Sequence, residues 1–184
     1  MLYIMLEGIE MSYSVRQLVS EIESALLNKT HSVQIIWSLG PLLQRLVLEG
    51  GDLTIQGDPR NGSSGLEGRL LYDDPRGKFK VVVSRFVPNV PTPIHSHVSW
   101  GVICGISGKE RYTSWTLTDN QRNHENSNIK IISDHHIERG DIGYWYKSPN
   151  NIHRQWAEGH EPSCVAIIMR EDGSRVNIFD TPNA

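Results

Sequence analysis

Apolar residues recur at helical spacing in the first third of the chain and alternate at strand spacing in the rest. Val15, Leu18, Val19, Ile22, Leu26 and Leu27 are predicted to share one helical face, with Ser14 as the N-cap. A second helix is predicted over His31 to Leu48, broken or kinked near Gly40-Pro41 and stopped by Gly50-Gly51. Short β-rich runs follow: Leu53 to Gln56, Arg69 to Tyr72, Lys78 to Phe86, Trp100 to Ile106, Arg111 to Thr118, Ile129 to Ser133, Gly143 to Tyr146, Ile152 to Ala157, Cys164 to Met169 and Val176 to Phe179. Asp73-Asp74-Pro75-Arg76-Gly77 reads as a hairpin turn, and Thr118 to Asn128 as a polar surface loop. About ten evenly spaced strands predict a β-sandwich or closed barrel. The helices are expected to pack on one outer face.

The 184 residues suit one domain better than two: a helical segment over 1–60 and a barrel over 61–184. A net charge of -3 offers no basic field, so nucleic acid is not expected as a partner. No apolar run reaches the roughly 20 residues a membrane helix needs. The opening MLYIMLEGIEMSYS lacks a basic region and a small-residue cleavage site, and Met11 is an alternative start. Cys104 and Cys164 sit in apolar runs and read as buried free thiols. These features together predict a cytoplasmic protein. The oligomeric state is open, with a homodimer through exposed edge strands as one arrangement.

Candidate chemistry concentrates on histidine. In Pro93-Ile94-His95-Ser96-His97, the two histidines are two apart on a strand and so point to one face. A Gly-containing strand follows. Further on, Gly143-x5-Pro149 forms a turn just ahead of His153, a third imidazole that antiparallel pairing can bring beside the first two. His95, His97 and His153 are therefore the candidate metal ligands. These two elements are those of the cupin family, whose fold is mainly β: a double-stranded β-helix, or jelly-roll barrel, here with N-terminal helices outside.

From Arg69 to about Pro162, roughly half the chain, the sequence resembles the thiol dioxygenases of the cysteine dioxygenase family. It looks most similar to the bacterial members that act on cysteine or 3-mercaptopropionate. The resemblance is carried by Arg69-Leu-Leu-Tyr-Asp-Asp-Pro-Arg-Gly-Lys-Phe79 followed by Thr92-Pro-Ile-His95-x-His97. It implies iron(II) held by three histidines without a glutamate. The stretch where other cupins carry that glutamate is Val98 to Val102, and Glu110 beyond it reads as a surface strand residue. It also implies dioxygen and a small thiol acid as partners, a sulfinic acid as product, and Arg69 as the guanidinium that grips the substrate carboxylate. Arg85 and Arg154 are weaker candidates; alternation turns Arg154 away from His153.

The sequence departs from that family elsewhere. The positions of its proton-handling Ser, His and Tyr fall on Val165, Ile167 and Met169, or on Ala166, Ile168 and Arg170, and neither set moves protons. Gly101 stands at the cross-linked cysteine of the animal enzymes, and Glu67 stands where a Tyr precedes the arginine. His124, His135, His136 and His160 are expected to be solvent-exposed. Trp100, Tyr144, Trp145, Tyr146 and Trp156 are expected in the core or at a pocket rim. Zinc, nickel or manganese also suits imidazole ligands. The alternatives are thus a cupin isomerase or lyase with another metal and a non-thiol substrate, or a non-catalytic sensor.

Overall fold

The computed structural model describes residues 12–28, 32–53, 55, 66–97, 99–118, 128–146, 151–170 and 177–179. The predicted loop tip after Thr118, the Pro149 turn and His124 lie outside these residues. Two helices lead: α1, Val15–Asn28, and α2, Ser32–Glu49. Ser14 caps α1 as predicted, in a reciprocal pair. The Gln17 amide donates to Ser14 Oγ at 3.3 Å, and the Ser14 amide donates back to Gln17 Oε1 at 2.8 Å. Leu18 and Ile22 are fully buried, but Leu27 is 78% exposed. Nine residues from Leu18 is half a turn out of phase, so Leu27 does not belong to the buried face. The expected break at Gly40-Pro41 does not occur. α2 runs through it, with Pro41 on the exposed side, while Gly40 lets the Tyr144 ring approach closely: a Cβ there would lie 2.3 Å from the phenol oxygen.

Ten strands follow: β1 Leu66–Asp73, β2 Lys80–Phe86, β3 Ile94–Ser96, β4 Gly101–Ser107, β5 Glu110–Leu117, β6 Ile129–Ile137, β7 Ile142–Trp145, β8 Ile152–Ala157, β9 Ser163–Met169 and β10 Asn177–Phe179. They form two antiparallel sheets, β1-β2-β9-β4-β7 and β10-β3-β8-β5-β6. The pairs β2 with β9, β3 with β8, β4 with β7 and β5 with β6 show one ribbon, β2 to β5, running antiparallel to its continuation, β6 to β9. Coiling that ribbon between two sheets is the jelly-roll topology of a double-stranded β-helix. β1 and β10 extend its edges.

Alternation sorts the side chains into layers. Val81 and Val83 of β2, Val102 and Cys104 of β4, and Ala166 and Ile168 of β9 face outward, where α1 and α2 cover them. The helices pack on the outside, as predicted. Phe86, Ile103, Tyr112, Ile137, Trp145, Val165 and Ile167 fill the barrel. Cys104 and Cys164 are buried free thiols, and burial pushes the Cys104 thiol up to about 12. No helix among the described residues is long and apolar enough to cross a membrane.

Glu110 corrects the sequence reading. It is not a surface residue but wholly buried. Its place on β5 has the same facing as Tyr112, two residues on, so it points into the barrel. Ser163 Oγ donates to Glu110 Oε2 at 2.5 Å, while Oε1 has no partner. Burial raises this carboxyl from 4.5 to about 8, against the lowering effect of the Ser163 bond. Between those values the unfolded chain loses a proton that the folded chain keeps. Stability therefore falls as pH rises from about 4.5 to about 8 and levels above it. Glu110→Gln removes this slope. In urea unfolding at pH 5 and pH 8, the wild type should lose on the order of a few kcal/mol relative to the variant. Parallel profiles would contradict the assignment.

Candidate metal centre

β3 and β8 are paired so that His95 lies directly opposite His153. Opposed residues of an antiparallel pair project to the same face, here the barrel interior. His97, just past the end of β3, completes the group. One nitrogen from each of His95, His97 and His153 lies within 4.8 Å of the others. Their ring centroids are 5.0, 4.4 and 5.2 Å apart for the pairs 95–97, 95–153 and 97–153. No carboxylate or thiol among the described residues joins them.

Backbone carbonyls orient two of the rings. His95 Nδ1 is 2.9 Å from the Pro93 carbonyl, and His153 Nδ1 is 3.0 Å from the Asn151 carbonyl. A carbonyl only accepts, so Nδ1 carries the proton in both rings and Nε2 keeps its lone pair. This is the tautomer a metal ligand needs. The Asn151 side-chain amide donates to the His97 carbonyl, which ties the end of β3 to the start of β8. Burial lowers all three imidazoles. His97 falls to about 4, helped by the charge of His95, and His153, which is 1% exposed, falls well below 6.5. All three are neutral near pH 7 and ready to ligate.

Aromatic rings wall the group. Trp145 of β7 stacks on His97 at 5.3 Å and tilts against His153 at 5.2 Å. Tyr112 of β5 stacks on the other histidine pair member, His153, at 5.3 Å with an 18° interplanar angle. Trp145 has its place because its cross-strand partner is Gly101. A Cβ there would fall 1.9 Å from the indole. A cavity of about 290 Å³ adjoins the group, lined in part by Tyr112, Ser114, Trp145 and Asn151.

Other residues singled out from the sequence stand elsewhere. Arg69 pairs with Val83, whose side chain faces the helices, and it donates to the Leu53 carbonyl at 3.0 Å. The structure does not bring it to the histidines. Arg85 pairs with Cys164 on that same outer face, 3.8 Å from Glu67. Arg154 lies over Trp115 and Trp156, on the opposite side of β8 from His153, as alternation predicts. Of the two registers open in the sequence for β9, Val165 and Ile167 face the barrel, and Met169 packs with them. Of the aromatic residues, Trp145 reaches the site, Trp100 joins the helix-side core, and Tyr146 accepts from Trp37 Nε1 at 2.6 Å. His135, His136 and His160 are exposed, and His136 is 2.6 Å from Glu158. Tyr112 and Asn151 were not singled out by sequence. Tyr112 is one aromatic in an alternating strand, and only the β5–β8 pairing sets it beside His153.

No protein-family model matches the sequence, and no curated protein matches it. Among solved structures the chain is similar to oxalate oxidase, with 14% identity and a TM-score of 0.49, covering 72% of this chain and 63% of that one. It is similar to a cupin-like protein from Thermotoga maritima, with 19% identity, a TM-score of 0.47, and coverage of 71% and 90%. It is also similar to an uncharacterised protein with a double-stranded β-helix domain from Klebsiella pneumoniae, with 16% identity, a TM-score of 0.45, and coverage of 66% and 90%. The chain spans less than two thirds of the oxalate oxidase chain.

Gly101→Ala tests the wall. The added methyl displaces the Trp145 indole from His97 and His153, and should cost about 1–3 kcal/mol of stability. Thermal unfolding reads the loss and near-UV circular dichroism reads the indole. An unchanged near-UV spectrum would show that Gly101 does not seat Trp145.

Proposed function

We propose that this protein is a metal-dependent cupin oxidoreductase in which His95, His97 and His153 hold one divalent cation, iron(II), and which oxidises a small organic molecule with dioxygen. The observation that carries the reading is the convergence of three buried, neutral imidazoles on one point. The residues fit the ion: two rings have Nδ1 occupied by carbonyls and Nε2 left for a bond. Three imidazoles with open positions suit non-haem iron, and they also accept zinc, nickel or manganese. When bound, iron(II) supplies redox chemistry with dioxygen. The chain's own part is to hold the three rings, to line the centre with Tyr112 and Trp145, and to keep water from it with Val165 and Ile167.

For the substrate, the resemblance over Arg69 to Pro162 supports a small thiol such as cysteine or 3-mercaptopropionate. Both atoms of dioxygen would pass to sulfur, giving a sulfinic acid. In that reading Arg69 holds the carboxylate. A specific observation favours a second substrate class on the same centre. Arg69 packs on the helix side of its sheet, and apolar residues of β9 face the barrel.

Metal content and oxygen uptake test the proposal. Iron-loaded wild type should carry about one ion per chain, and His153→Ala should carry almost none while keeping its far-UV spectrum. Elemental analysis that finds equal metal in both would sink the centre. Oxygen-electrode runs with a panel of thiols test the first substrate class. Uptake that needs iron and a thiol supports it, and no uptake with any thiol by fully loaded protein ends it.

A further inference from the structure

We infer that the cavity beside the three histidines receives an uncharged, planar molecule bearing hydroxyl and carbonyl oxygens, gripped by Tyr112, Trp145 and Asn151. This deepens the proposed function, since it names a substrate class for that centre. The cavity, about 290 Å³, is near the lower end for small-molecule pockets, which run from roughly 300 to 1,000 Å³. None of its lining residues is charged, and four are aromatic: Tyr112, Tyr144, Trp145 and Tyr146.

Three polar atoms of this lining are buried without a hydrogen-bond partner among the described residues: Tyr112 Oη, Trp145 Nε1 and Asn151 Oδ1. Their residues are only 2%, 3% and 1% exposed. Each such atom costs about 1–3 kcal/mol unless something satisfies it. Three on one cavity are a ligand's complement. The indole N–H only donates, the amide oxygen only accepts, and the phenol does both. A carbonyl can accept from Trp145 or Tyr112, and a hydroxyl can donate to Asn151 Oδ1. A carboxylate would meet that same amide oxygen with no cation in the lining, an uncompensated buried charge. The aromatic walls favour a flat molecule over a flexible acid.

Calorimetric binding of maltol, a neutral planar hydroxy-carbonyl compound, and of 3-mercaptopropionate tests this. Both are titrated into wild type, Tyr112→Phe and Trp145→Phe, each metal-free and zinc-loaded. Both substitutions keep a ring and delete one polar group. Maltol should bind wild type more tightly than 3-mercaptopropionate, and each substitution should weaken it about fivefold, the worth of one hydrogen bond. Metal content measured on the same samples separates loss of the ion from loss of the ligand. Maltol binding with this pattern to a chain that takes up no zinc would keep the cavity's assignment and sink the metal centre. No maltol binding in either form, tighter binding of the thiol acid, or maltol affinity untouched by both substitutions would overturn the inference.

Discussion

The site depends on one backbone register: the antiparallel pairing of β3 with β8 that sets His95 opposite His153. A slip of one residue would turn either imidazole to the outer face, because side chains alternate. The Asn151 amide, which donates to the His97 carbonyl, ties the two strands where they meet the site. The same residue's carbonyl fixes the His153 ring. Register, ring orientation and the position of the third histidine thus share one short stretch of chain.

Around that register the barrel supplies an apolar setting. Phe86, Ile103, Val165 and Ile167 fill the interior, and Trp145 and Tyr112 lie flat on the histidines. Burial of this kind disfavours charge. It keeps the imidazoles neutral without any acidic neighbour, and it holds Glu110, inside the same barrel, protonated up to about pH 8. A group that needs lone pairs and a carboxyl that keeps its proton are two results of one low-polarity interior.

The cations lie outside this interior. Arg69, Arg85 and Arg154 all point to outer faces, two toward the helix side and one over surface tryptophans. The centre is therefore surrounded by rings, hydroxyls and an amide. Its electrostatics suit neutral ligands better than anions, apart from whatever charge an ion brings.

The sequence by itself determined much of this. Period-two spacing placed His95 and His97 together, turn residues marked most strands within a few residues, and Ser14 with a helical stripe marked α1. These are local signals, carried by side-chain spacing and backbone preference. Tertiary structure alone decided which strand pairs with which. That pairing set His153 beside His95, brought in Tyr112, chose Val165 and Ile167 as the inward set of β9, buried Glu110 and turned Arg69 to the helices. A strand's two faces are symmetric in its own sequence. Which one looks inward is fixed by partners that are remote along the chain.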